Sequence, residues 1–296
     1  MPNTQQLKAR IRSVKSTKQI TKAMQMVAAS KMRRAQDASR TTAPYTTAAR
    51  GLLRYLSRQG ATDDHPLFAQ RTVKRRLIIV IAADKGLAGA YNSNVLKRYV
   101  QLLRDDDAAG IDNTTIAVGR KAAQFVARLK DTQVVGVYED VPDRPTGPAF
   151  RAILDTAHDM FVSKQVDAVD VVFTRFYSSM TQHPDTIHLL PAGLDAEQLD
   201  AVDDDDEVIP DDEALFEPSP QAVLDTIAAR MVSARLYQAL LDARASEHSQ
   251  RMLAMKNATD NATSLVDDLT LEMNKQRQGA ITQELTEISA GVEAMG

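Results

Sequence analysis

The chain has 296 residues, with 5% aromatic side chains, no Trp and no Cys. Disulfides, thiolate catalysis and cysteine metal sites are therefore excluded, and the wealth of Ala, Leu, Met, Gln, Lys and Arg favours long helices over a sheet-rich core. Net charge is only −3 but is strongly segregated: residues 1–60 carry thirteen Lys or Arg against one acid, Asp37, whereas residues 195–217 carry twelve Asp or Glu and no base. Separated blocks of this kind mark interaction faces or tails.

Residues 3–43 contain neither Pro nor Gly. Apolar residues fall at Leu7, Ile11 and Val14, then at Ile20, Met24 and Val27, each trio spaced four then three, which predicts a helix with a phase slip between the trios. Pro44 is expected to interrupt or kink it. Helical spacing then resumes up to Gly60, and "ATDDHP" reads as a loop. The narrow stripe of Ala and Met suits a helix–helix seam better than a sheet face.

The middle of the chain changes period. "RRLIIVIAAD" is a continuous apolar run bounded by charge, as expected of a strand buried on both faces. Then follow "NVLKRYVQLLRD" as helix, "TTIAVG" as strand, "RKAAQFVARLK" as helix and "QVVGVY" as strand. "PAFRAILDTAHDMFVSK" reads as helix, "AVDVVFTRFYS" as strand and "DTIHLLPAG" as a terminal strand, antiparallel to the rest. This alternation predicts a mainly parallel, Rossmann-like α/β domain over residues 70–193. Residues 194–218 form an acidic linker.

After Pro220 there is no proline for 76 residues, enough for a helix of roughly 114 Å at about 1.5 Å per residue. Its apolar positions Ala262, Val266, Leu269 and Met273, and later Ile281, Leu285, Ile288 and Val292, follow a heptad. A heptad seam needs a partner. The other long unpaired helix in the chain, residues 1–60, supplies it for residues 219–296. The expected fold is of class α+β/α: a long antiparallel two-helix coiled coil from the N- and C-terminal helices, with the α/β domain inserted between them.

Candidate chemistry is sparse. "DKGLAGAYNSN", residues 84–94, lies where phosphate loops occur, yet it has only Gly86 and Gly89 and no Gly-Lys-Ser/Thr ending. A tight turn with close backbone packing fits it better. The five His are scattered, no Gly-x-Ser-x-Gly elbow occurs, and the run 203–207 reads as a solvated charge block. The sequence therefore offers no catalytic residue, cofactor site or metal site. The longest wholly apolar run, residues 77–83, is far short of the ~20 residues that span a bilayer, and no signal-peptide core precedes it.

The basic helix remains. Base-stacking aromatics are missing, since Tyr45 and Tyr55 are the only ones before Phe68. A membrane-surface helix would carry Leu, Phe or Trp where this one carries Ala and Met. An acidic protein partner is the better reading, with Met24 and Met26 as adaptable contacts. Beside it stand two rivals: a stand-alone α/β nucleotide-binding enzyme with a helical dimerisation arm, and a basic coiled-coil nucleic-acid binder with steeply salt-dependent binding.

"RSVKSTKQITKAMQMVAASKMRRAQ" and "SEHSQRMLAMKNATDNATSLVDDL…NKQRQGAITQELTEISAG" closely resemble the two terminal signatures of the gamma subunit of F-type ATP synthase, and "DKGLAGAYNSN" is similar to that family's loop after its first strand. The resemblance covers essentially the whole chain. Ala88 and Ala90 stand where the family's loop often has Cys and Gly, and the Cys-bearing insertion of chloroplast versions is absent.

The resemblance implies a non-catalytic rotor shaft, its two helices threading a hexamer of alpha and beta subunits and its foot meeting the epsilon subunit and the membrane ring of c subunits. Proton flow would turn the ring and shaft and drive each beta subunit through its catalytic states. The shaft would be a peripheral membrane protein on the cytoplasmic face of a bacterial cell membrane. By matching positions, Met24, Lys31, Arg33 and Arg34 are expected to face the acidic lever of beta. Arg251, Arg277, Gln278, Thr282 and Glu284 match the C-terminal coupling positions, and Phe216 and Glu217 match the foot on the ring.

Overall fold

A computed structural model describes residues 4–58, 62, 65–130, 132–145, 147–192 and 219–293, with only the backbone course given for 42–58, 220 and 291–293. The chain divides into two compact units, one made of Met1–Ala29 with Arg251–Gly296 and the other of Ser30–Gln250.

The larger unit is built on a five-stranded sheet. Its strands are β1 (Arg75–Ile81), β2 (Asp112–Val118), β3 (Gln133–Tyr138), β4 (Ala168–Phe176) and β5 (Gln182–Leu190), in the order β3-β2-β1-β4-β5. The first four are parallel, and β5 returns antiparallel to β4. Residues of β1 alternate between two cores, as the period of a strand requires. Ile78 and Val80 pack with Val95, Tyr99 and Val126 of α2 (Tyr91–Ala109) and α3 (Arg120–Val126). Leu77, Ile79 and Ile81 pack with Ile153, Ala157 and Phe161 of α4 (Pro148–Val162) and with Leu224, Met231, Leu236 and Leu240 of α5 (Pro220–Glu293). Each fully buried Leu, Ile or Val contributes about 1.5–3 kcal/mol, so a strand covered on both faces is the natural anchor of the unit.

Two details differ from the sequence reading. The last strand begins at Gln182, three residues before the expected Asp185, and includes Pro184, which pairs with Thr174. An edge strand tolerates a residue without an N–H because its outer side has no ladder to break. The helix after β2 stops at Val126 although the helical pattern reaches Lys130.

In the smaller unit, the first part of α1 (Thr4–Arg58) packs against the last part of α5. Leu7 and Ile11 cluster with Val266 and Leu269, flanked by Val14 and Met273, and Thr21 Oγ1 lies 2.8 Å from Thr259 Oγ1. Low numbers on α1 meet high numbers on α5, so the two segments run antiparallel. Thr259 also donates to Met255 O.

The covered face of α1 does not slip phase. Buried or half-buried residues follow Leu7, Ile11, Val14, Lys18, Thr21, Gln25, Ala28, Met32 and Ala35, an unbroken four-three repeat. Ile20 and Val27 are each 57% exposed and lie outside it. The apparent slip is a second, outward-facing stripe; the covered face passes there through small and polar side chains. On α5 the matching repeat is Met255, Thr259, Ala262, Val266, Leu269 and Met273. Ile281, Leu285 and Ile288, expected to extend the seam, are 49%, 62% and 63% exposed. All of residues 277–290 are exposed, because the seam ends where Leu7, near the start of α1, meets Leu269 and Met273; Val292 lies outside the described side chains. The α1 helix also runs without interruption through Pro44; a proline removes one ladder bond, and the bonds on either side carry a long helix past it.

Candidate functional site

In open doubly wound sheets a crevice opens beyond the carboxyl ends of the strands where the strand order reverses, and ligands bind there. Here that point lies between β1 and β4. Residues 244–250 of α5 cross it. All of 244–249 are buried, although four of the six are polar or charged and His248 is a fifth. Arg244 Nη2 donates to Val141 O after β3 at 2.6 Å, Ser246 to Thr174 O on β4 at 3.1 Å and Ser249 to Ser179 O at the β4–β5 turn at 2.6 Å. Gln250 Nε2 donates to Gln182 Oε1 at 2.6 Å.

Two carboxylates organise this contact. Asp84, at the end of the β1 loop, accepts the backbone N–H groups of Arg120 and Asp140 on Oδ1, both at 3.0 Å, and turns Oδ2 toward Arg244 at 3.5 Å. Burial works against the charge of Arg244, but Glu247 at 2.9 Å, with Tyr91 and Asp84, outweighs it and holds the guanidinium above its ordinary pKa. Asp143, in the β3–α4 loop, accepts from His248 Nε2 on Oδ1 at 3.2 Å and from Lys31 Nζ on Oδ2 at 2.9 Å. The His248 hydrogen bond, helped by Lys31 and opposed by burial, holds the Asp143 carboxyl well below the usual range.

The β1 loop is shaped to receive α5. Gly89 has φ +55, and a Cβ there would lie 3.2 Å from Gln250 Oε1, so its missing side chain serves close approach of a helix. Gly119, the first residue after β2, has φ +91, and a Cβ would fall 2.1 Å from Ala82 O. Among the described residues no group of three His, Asp or Glu side chains is placed to hold a metal ion. No described helix is long and apolar enough to cross a membrane.

The sequence-derived contact residues fall elsewhere. Met24 is half-buried and lies with Ile20 and Val27 on the outward stripe of α1. Arg33 and Arg34 are exposed, and Arg34 Nη2 donates to Ser30 Oγ at 3.2 Å. Lys31 reaches Asp143 as described. Arg251 is half-buried, whereas Arg277, Gln278, Thr282 and Glu284 are all exposed on the last turns of α5, with Thr282 Oγ1 donating to Gln278 O at 3.0 Å. Phe216 and Glu217, with the rest of the acidic stretch 195–217, lie outside the described residues. Sequence reasoning missed Asp84, Asp143, Arg244 and His248. The signal that could have found the last two was the dense polar run "RASEHSQ" on a helix whose preceding turns are core-facing.

A family model described as ATP synthase matches residues 3–295. The chain is 40% identical over 299 residues to the ATP synthase gamma chain of Heliobacterium modesticaldum and 39% identical over 295 residues to that of Ralstonia nicotianae, with 100% of each chain covered in both cases. Among solved structures it resembles a chain of the Euglena gracilis mitochondrial ATP synthase OSCP/F1/c-ring assembly, with a TM-score of 0.66, 22% identity and coverage of 99% of this chain and 94% of that one. A chain of the Tetrahymena thermophila mitochondrial ATP synthase central stalk and c-ring gives a TM-score of 0.59 at 24% identity, covering 81% and 99%. These likenesses show a shared fold, and the full-length identities show kinship: this chain belongs to the ATP synthase gamma chain family.

Proposed function

We infer that this chain is the central rotor shaft of an ATP synthase, a non-catalytic subunit that couples rotation of a membrane ring to the conformational cycle of catalytic subunits. The observation that carries the mechanism is a pair of apolar stripes left uncovered in the smaller unit. One is Ile20, Met24 and Val27 on α1; the other is Leu271, 72% exposed, with Ile281, Leu285 and Ile288 on α5. Exposed rows of large apolar residues at helical spacing mark surfaces that meet a partner.

The surfaces are suited to contact without capture. Residues 4–40 and 251–293 contain no aromatic side chain, and aromatic anchors are what concentrate binding energy into hot spots. Nine Lys or Arg and no acid precede Asp37, which gives a diffuse attraction to an acidic lever. In this reading the helices form an antiparallel coiled coil inside a hexamer of alpha and beta subunits. Met24, Arg33 and Arg34 face beta, Lys31 is instead engaged by Asp143 of this chain, and Arg251, Arg277, Gln278, Thr282 and Glu284 couple at the C-terminal end. Phe216 and Glu217 belong to the foot, which meets the epsilon subunit and the ring of c subunits on the cytoplasmic face of a bacterial membrane. Residues 244–250 fill the crevice with contacts to the chain's own strands and loops, which favours a structural use of that crevice.

The test is co-expression with alpha- and beta-type nucleotide-binding subunits. The wild-type chain co-purifies with them, while Ile281→Ser/Leu285→Ser/Ile288→Ser lowers the yield of complex severalfold and leaves the circular dichroism of the free chain unchanged. Normal assembly and coupled turnover by the triple variant would remove the role given to the α5 stripe. Micromolar ATP binding by the free chain, lost on altering Gly86 and Gly89, would favour the enzyme reading instead.

A further inference from the structure

We propose that Asp143 is the joint through which the α/β domain drives both long helices, a positioning residue for torque transfer that rests on the rotor-shaft reading. One carboxylate in the β3–α4 loop holds α1 by Lys31 and α5 by His248, one oxygen for each. Among the described residues it is the side chain that ties a loop of the domain to both helices at once.

The physical need is for resistance to sliding. The apolar packing of α5 against the sheet, through Leu224, Met231, Leu236 and Leu240, resists separation strongly. It resists displacement along the surface weakly, because the hydrophobic effect is non-directional. Hydrogen bonds are directional and weaken steeply with misalignment, and those to ionised partners are roughly twice as strong as neutral ones. On α5 the directional contacts are many, running from Arg244 to Gln250. On α1, Lys31 makes a direct polar contact to the domain through Asp143. α1 is also tied to α5 by Ser39 with Gln238, at 2.7 Å.

His248 makes the arrangement more than a surface ion pair. Its side chain is 5% exposed, whereas Asp143 and Lys31 are 43% and 41% exposed. An exposed Lys–Asp pair alone contributes about 0–1 kcal/mol. Here the buried imidazole fixes the orientation of the carboxylate, so that its second oxygen is presented to Lys31. Lys31 can only donate, so the oxygen facing it must accept, and the charge on Asp143 strengthens both bonds. Asn would keep one acceptor oxygen for Lys31 and turn its N–H₂ toward His248, which forces the other imidazole tautomer and replaces two charge-assisted bonds by weaker ones.

The experiment uses the assembled complex in sealed vesicles and reads ATP hydrolysis together with proton pumping against an imposed gradient. Asp143→Asn is expected to assemble and to hydrolyse ATP within twofold of wild type without load, while pumping against the gradient falls at least fivefold. Asp143→Glu is expected to retain most of the pumping. The chain has no Cys, so Lys31→Cys/Asp143→Cys adds its only thiols. Pumping lost in the reduced double variant should return when a short bifunctional thiol reagent bridges the two. Unchanged loaded pumping in Asp143→Asn overturns the proposal. So does a bridged double variant that stays uncoupled, since Lys31 would then act at a partner surface and not at this joint. If Asp143→Asn does not assemble, His248→Gln with the same readout decides between the two outcomes. Failure of the wild-type chain to join alpha and beta subunits would instead refute the shaft reading itself.

Discussion

Asp242 offers a measurement of how the larger unit spends its stability. The residue lies on α5 one turn after Gln238, whose Nε2 donates to its Oδ1 at 3.0 Å and also to Ser39 Oγ. Burial, only partly offset by Arg175 and the Gln238 bond, pushes its carboxyl up from 3.8 to about 6. A raised acid is stabilising when protonated, so its contribution is full below the unfolded pKa and is lost as pH rises through the folded one. At neutral pH the fold therefore carries a charge it would rather shed. Asp242→Asn keeps the acceptor oxygen and removes the charge. With a gap of about two pKa units at about 1.36 kcal/mol each, the variant should gain about 3 kcal/mol at pH 7.5 relative to its gain in strong acid, falling to about 1.6 kcal/mol at pH 5. Urea unfolding followed by far-UV circular dichroism at the two pH values measures the difference. An equal increment at both, or a loss at pH 7.5, would show that Asp242 is paired rather than stranded.

Gly119→Ala should cost more than about 3 kcal/mol and sharply lower the yield of folded chain, since a Cβ cannot coexist with Ala82 O at 2.1 Å on a backbone at φ +91. Thr21→Val or Thr259→Val alone should lower the unfolding midpoint by an amount equivalent to about 1 kcal/mol, and the double variant should be no worse than either single one; simple additivity in a double-mutant cycle would mean the hydroxyls are not coupled. Asp143→Asn should cost about 1 kcal/mol at pH 7 in the free chain, keep most of that cost at about pH 4 and lose it only in strong acid, because a depressed acid stabilises above its unfolded pKa and loses that contribution as pH falls through its folded one. A pH-independent difference in chemical denaturation would contradict that linkage.

The sheet was legible because its signals are local. "RRLIIVI" reads as a strand covered twice, and the alternation after it predicts a mainly parallel α/β sheet, though not its strand order. Where several residues contribute one weak preference each, the reading strayed. The seam of α1 was traced through its bulkiest side chains, Ile20 and Val27, while the buried face runs through Lys18, Thr21 and Gln25. Helix packing selects residues by angular position, and size is a poor guide when Ala and Thr suffice to fill the interface. Pro184 and Pro44 misled for a related reason, since tolerance depends on whether neighbouring bonds or an open edge absorb the loss. The crevice was the least legible part. Asp84 and Arg244 are 160 residues apart, and a polar run on a helix reads as a solvated face until another element is known to cover it. The resemblance located the terminal helices but was silent on what holds them to the domain.

The hydrogen bond between Thr21 and Thr259 spans 238 positions of sequence, and this sets the order in which the molecule can be completed on the ribosome. At about 5–20 residues per second, α1 emerges and then waits roughly 12–48 s before its partner segment exists. During that interval Leu7, Ile11 and Val14 have no covering surface from this chain, while the larger unit can close once the core residues Leu224–Ala243 of α5 have emerged. The smaller unit is consequently the last to form, and its formation depends on translation passing Met273 of α5. A ribosome that stalls just after Gln250 would release the larger unit with a basic helix that has nothing to pair with, a product open to proteolysis at its N-terminal end and unable to assemble.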